Sequence, residues 1–122
     1  MSTLKVTTIQ DTSGGNASTS EQLNQGRAKV WCAWNGNGTV SIYDSFNVSS
    51  LVDNGTGDYT VNFSSNMSNS NYAFTWASGG TIYNGDDTYR TTSSLQCLGM
   101  GRQDSYNQQD TLIQCISVFG DQ

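Results

Sequence analysis

Residues 40 to 63, VSIYDSFNVSSLVDNGTGDYTVNF, constrain the fold of this chain more than any other stretch. Two alternating segments, one ending at Phe46 and one running from Tyr59 to Phe63, flank a turn-rich link with Asn54-Gly55 and Gly57-Asp58. In the second segment Tyr59, Val61 and Phe63 point one way and Thr60 and Asn62 the other, the period of a half-buried strand. Asn-Gly suits a backbone that must take positive φ, because glycine lacks Cβ and asparagine tolerates the left-handed region.

The same punctuation runs along the chain. Residues 3–10, TLKVTTIQ, read as a short strand with Leu4, Val6 and Ile9 facing inward. Residues 11–26 are a polar linker with one helical turn near Ser20 to Asn24. Arg27 to Asn35 sets Ala28, Val30, Cys32 and Trp34 against Lys29, Trp31 and Ala33. The doubled turn signal Asn35-Gly36-Asn37-Gly38 then predicts a hairpin with Thr39 to Phe46. Asn71 to Ser78 places Tyr72, Phe74 and Trp76 on one face, Gly79-Gly80 breaks it, and Thr88 to Gly99 and Asp110 to Phe119 complete the set. No segment of useful length has apolar residues at helical spacing. Six or seven short strands predict an all-β fold: a single antiparallel β-sandwich or barrel-like domain over residues 27–122, behind an N-terminal strand or arm and linker over residues 1–26.

Composition narrows what such a domain does. The chain has 122 residues, of which 12% are charged and 34% hydrophobic, with 13 glycines. Three Trp, six Tyr and four Phe inside alternating segments argue against disorder. A small core, or one shared between subunits, fits the composition. The net charge of −5 comes from scattered residues, and without a basic stripe there is no footprint for nucleic acid. Nothing approaches a transmembrane span, and MSTLKVTTIQ lacks the apolar core of a secretory signal, so the sequons at Asn37, Asn47, Asn54, Asn62 and Asn66 read as composition.

Catalytic and metal chemistry find little to work with. There is no histidine, which excludes Ser-His-Asp and Cys-His arrangements. Asp86-Asp87 with Asp44 or Asp58 could form a glycosidase pair, but aspartates beside Gly or Asn are ordinarily turn formers. Asn84-Gly85-Asp86-Asp87 does not match an EF-hand loop, so calcium is not expected, and three cysteines without a CxxC pair are a poor zinc set. Cys32 and Cys115 lie in alternating segments, as buried thiols do, while a Cys97–Cys115 disulfide is the alternative. No catalytic residue, metal or cofactor is expected. Tyr83, Tyr89 and Tyr106, in or beside polar loops, are candidate outward-facing binding residues, because flat rings among amides suit sugar faces.

The strings LKVTTIQDTSGG and GRAKVWCAWNGNGTVSIYDSFNVSSLVDNGTGDYTVNFSSNMSNSNYAF resemble a segment common in virion structural proteins of tailed bacteriophages, notably marine phages of cyanobacteria. The resemblance covers about residues 4–75, as a long ordered string, and residues 76–122 lie outside it. It implies a non-enzymatic particle component of the tail-fibre or surface-appendage type. Such modules are typically homotrimeric, are displayed on the particle exterior and contact other virion proteins, with a host-surface glycan or protein as a further partner. On this expectation Leu4, Val6 and Ile9 form an assembly arm, and the loops around Asn84–Tyr89 and Arg102–Gln109 face outward. A capsid-surface decoration protein and a carbohydrate-binding recognition module are the alternative expectations.

Overall fold

The computed structural model describes residues 1–79, 81–82, 89–100 and 110–122, the side chains of residues 81, 82, 99 and 100 apart. The fold is all-β and sandwich-like. Elements run in the order β1 (Thr8–Ile9), β2 (Ser18–Thr19), α1 (Ser20–Gly26), β3 (Val30–Asn35), β4 (Ser41–Phe46), β5 (Val48–Gly55), β6 (Asp58–Phe63), β7 (Ala73–Ser78), β8 (Thr81–Ile82), β9 (Ser94–Met100) and β10 (Gln114–Phe119). Sheet I has the order β4-β3-β10-β7 and sheet II the order β5-β6-β9-β8, while β1 and β2 form a separate two-stranded ribbon. Every pairing is antiparallel.

The alternation read from the sequence fills the core. Val30, Cys32, Trp34, Trp76, Ile116 and Val118 of sheet I meet Tyr59, Val61, Phe63, Leu95 and Cys97 of sheet II, with Met67 and Tyr72 closing one end. Trp34 and Tyr59 meet edge to face across the two sheets, centroids 5.7 Å apart, and Phe63 and Tyr72 do the same at 6.0 Å. Such pairs add roughly 0.5–1.5 kcal/mol beyond their buried area.

Four expectations are corrected. The link after Phe46 is a strand, β5, which pairs with β6, so the segments ending at Phe46 and starting near Tyr59 lie in different sheets. Its residues, VSSLVDNG, alternate weakly because an edge strand buries only Val48 and Leu51 in part. The corner between the sheets is Asn47, at φ +58°. Its side chain donates to Lys29 O and Ser65 O and accepts from Ser65 N, so the left-handed turn is held on both sides. Second, residues 3–10 are not an inward-facing strand. Only Thr8 and Ile9 pair, and Leu4, Val6 and Ile9 are 84%, 40% and 52% exposed. A single strand with no sheet beside it has nothing to bury its alternate residues against.

Third, Lys29 does not follow the outward side of its strand. It is buried, and its Nζ donates to Asn24 O and, at 2.6 Å, to Asn24 Oδ1. The ammonium thereby occupies carbonyls in the last turn of α1, where a cation is favoured. The helix begins with a capping box between Thr19 and Gln22. Fourth, Cys115 is half-buried on the outer face of sheet I, whereas Cys97 faces the core from sheet II. The two thiols lie on opposite sides of sheet I, which rules out a Cys97–Cys115 bridge in this fold; all three cysteines are free. Burial pushes the Cys32 thiol up to about 11 and raises Cys97 further, helped by Cys32 opposite it.

Candidate functional site

The outward-pointing residues of the two sheets differ in kind. On sheet II they are Ser50, Val52, Asp58, Thr60, Asn62, Ser94, Gln96 and Leu98, placed by the register of β5, β6 and β9. Most are knitted together by side-chain hydrogen bonds. Asp58 Oδ1 accepts from Gln96 Nε2 at 2.7 Å and from Asn54 Nδ2 at 3.1 Å. Asn54 Nδ2 also reaches Thr60 Oγ1, and Asn62 Nδ2 donates to Ser50 Oγ. This is the water-facing side expected of an antiparallel sheet with one buried face.

The outer side of sheet I lacks that character. Register places Phe46, Trp31, Ser117 and Thr75 in one row and Asp44, Ala33, Cys115 and Ala77 in the next, with Phe119 and Ala73 beyond. A bulge between Ala33 and Trp34 leaves Tyr43 as the extra residue of β4, and its hydroxyl crosses β3 to donate to Leu112 O at 3.0 Å. Phe46 is 47% exposed, Tyr43 59%, Leu112 63% and Ile113 65%. Asp44 is the one formal charge among the outward strand residues of this sheet. On sheet II, by contrast, Val52 is the one exposed large apolar side chain among the described residues.

At the end of the sandwich where the β3–β4 and β5–β6 turns meet, a buried polar cluster ties the sheets together. The Tyr59 hydroxyl lies 2.8 Å from Gly36 O and 2.6 Å from Asp110 Oδ1, which also accepts from Gly57 N. Burial first, and Asp110 second, raise the Tyr59 phenol well above its ordinary value, so it is a proton donor and not a base. Gly36 is required here, since a Cβ would fall 2.6 Å from both Tyr59 Oη and Gln114 Nε2. Gln114, fully buried, lies against the Tyr59 hydroxyl, and among the described residues the indole N–H groups of Trp34 and Trp76 have no hydrogen-bond partner. The cluster joins the β3–β4 turn to the start of β6 through Tyr59 and Asp110.

At the other end, a cleft of about 490 Å³ opens between Gln25 of α1, the Asn69–Ala73 segment and Phe119–Asp121. Its polar wall is Gln25, Asn69, Asn71 and Asp121, and its apolar wall is Phe119 and Ala73. Gln25 Nε2 donates to Asp121 Oδ1 and anchors the helix over the chain end.

Of the residues singled out from sequence, only some lie among the described residues. Tyr83 and Tyr106 lie outside the described residues. Tyr89 is half-buried, next to Arg90, which bridges to Leu95, donates to Tyr72 O and lies 6.0 Å over the Phe74 ring. That position is at the Phe63 end of the sandwich, several residues along β6 and β9 from Asp110. Asp44 and Asp58 occupy the outer faces of different sheets and cannot share a substrate; Asp86 and Asp87 lie outside the described residues. Among the described residues no three His, Cys, Asp or Glu side chains converge on a metal position, and no helix is long and apolar enough to cross a membrane.

What the sequence reading missed was the face holding Tyr43, Phe46, Trp31, Cys115 and Ile113. The signal is present in VWCAW, where the positions alternating with Val30, Cys32 and Trp34 are Trp31 and Ala33 instead of polar residues. No family model, curated protein or solved structure matches the chain.

Proposed function

We propose that this chain is a non-enzymatic structural protein of a tailed-bacteriophage virion, a tail-fibre or appendage-type β module that forms homotrimers and is displayed on the particle exterior. The observation that carries this reading is the apolar, charge-poor outer face of sheet I together with an arm that holds Leu4, Val6 and Ile9 in solvent. The long ordered resemblance over residues 4–75 supplies the particle context. Burying the three arm side chains is worth roughly 1.5–3 kcal/mol each. Association costs about 4–15 kcal/mol, so the arm alone is marginal and the sheet face must contribute as well.

Light scattering on the purified protein at micromolar concentration tests the assembly: a stable trimer is the expected result, and a monomer overturns it. Quantitative mass spectrometry of purified particles tests the place. A tail component occurs in far fewer copies than the major capsid protein, whereas a copy number comparable to it assigns the chain to capsid decoration. Absence from particles overturns both.

A second reading, a carbohydrate-binding module, draws on the amide-lined cleft with Phe119 at its wall. Amides and a carboxylate beside an aromatic ring match hydroxyls and a sugar's apolar face. Glycan-array binding lost in Asn71→Ala supports it, and no binding at millimolar sugar removes it.

A further inference from the structure

We infer that the outer face of sheet I is the seat of the N-terminal arm of a neighbouring copy of this chain, residues 4–9 lying across β4, β3 and β10. The inference rests on the assembly reading above and names its surface and its occupant.

The face needs a cover, since it exposes Tyr43, Phe46 and Ile113 while the opposite sheet shows water a hydrogen-bonded polar ladder. The arm needs a seat, since among the described residues its strand-forming stretch TLKVTTI is paired at Thr7 to Ile9 and nowhere before. The molecule's own face is not that seat. The arm's root is pinned by the β1–β2 pairing and by Ser20 N donating to Thr7 O, and in this arrangement residues 1–9 are all exposed.

Length and charge fit a neighbour. The six residues ahead of the pinned root span about 20 Å when extended. Four strands at about 4.8 Å spacing need only about 15 Å, so the arm crosses a full sheet with chain to spare. Lys5 is the only charged side chain in residues 1–9, on a chain of net charge −5, and Asp44 is the only formal charge among the face's outward strand residues. A lysine's long flexible stem can reach a carboxylate at the sheet edge while Leu4 and Val6 lie on the face. Arm onto face is a heterologous contact, which closes into a ring such as a trimer when the rotation between neighbours allows; face onto face would give a twofold dimer.

The half-exposed Cys115 makes the seat directly testable. Val6→Cys in the full chain, oxidised with copper-phenanthroline, is expected to give disulfide-linked multimers on a non-reducing gel. They should be absent from wild type and from Val6→Cys carrying Cys115→Ser. Only an intrachain link means that the arm seats on its own sheet, and a Cys115–Cys115 dimer in oxidised wild type means face-to-face packing; either overturns the inference. Deleting residues 2–9 should weaken assembly by at least about tenfold, the scale of a lost anchor cluster. Asp44→Lys should weaken it as well, with recovery on adding Lys5→Glu. A wild-type oligomer untouched by all of these changes overturns the arm's role and leaves the assembly reading standing, whereas a monomeric wild type removes both.

Discussion

Sheets I and II share a core and a strand count but turn different surfaces outward. Sheet II spends its outward positions on Asp58, Thr60, Asn62 and Gln96, whose side chains satisfy one another. Sheet I spends the same positions on Trp31, Ala33, Phe46, Cys115 and Phe119, with Asp44, Thr75 and Ser117 among them. Both solutions bury the inner face equally well, so core formation does not distinguish them. The difference teaches that two sheets can share one core and still show solvent different side chains, amides and hydroxyls on one and mostly aromatic and small apolar groups on the other.

The contrast can be broken first by thiol chemistry. In the chain lacking residues 2–9, Cys115 should react with an aromatic disulfide reagent more than about a thousandfold faster than Cys32 or Cys97, which react only on unfolding. Comparable rates for all three would mean that sheet I does not present its outer side. In the full-length assembly the Cys115 rate should fall.

A second comparison places the same charge on both faces. Phe46→Lys should reduce association by at least about tenfold, and Thr60→Lys should change it less than about twofold. Equal effects in sedimentation equilibrium would erase the distinction between the faces.

Stability sharpens the contrast from the other direction. Asp58→Ala strips an acceptor from Gln96 and Asn54 and should cost about 1–2 kcal/mol in urea unfolding. Asp44→Ala, whose carboxylate among the described residues accepts from the backbone N–H of Ser45 alone, should cost less than about 0.5 kcal/mol in the arm-deleted chain. A larger loss at Asp44 would mean that sheet I carries a polar network of its own.

The smallest effect concerns the arm's root. Hydrogen bonds from the Ser13 side chain and the Gly15 backbone hold the Asp11 carboxyl below its ordinary value of 3.8. A depressed folded value means that its contribution is present above 3.8 and is lost as pH falls through the lower folded value. The Gly15 amide resonance should therefore titrate with a midpoint below 3.8. A midpoint at or above it would mean that the loop is not closed around Asp11.

Much of the fold is legible in the sequence because burial imposes a period. Val30, Cys32, Trp34, Tyr59, Val61, Phe63, Tyr72 and Trp76 are each buried as the alternation requires. Strand β5 was not legible, because an edge strand with little buried area carries only a weak pattern. Lys29 was not legible either, since nothing in the strand pattern announces that the end of a helix will bring Asn24, five residues earlier, to its ammonium. The candidate surface was half visible: the missing polar positions in VWCAW can be counted, but their meeting with Tyr43 and Ile113 cannot.

The sequence by itself determined that this chain is all-β, where most of its strands lie and which side of each is buried, because alternation and turn residues act over a few positions. Tertiary structure decided which strands share a sheet, through the left-handed corner at Asn47, and so which outward residues become neighbours. It also left the arm without a sheet to lie on. Pairing partners are set by contacts far apart in the chain, and the apolar face is a property of four strands together that no one of them carries alone.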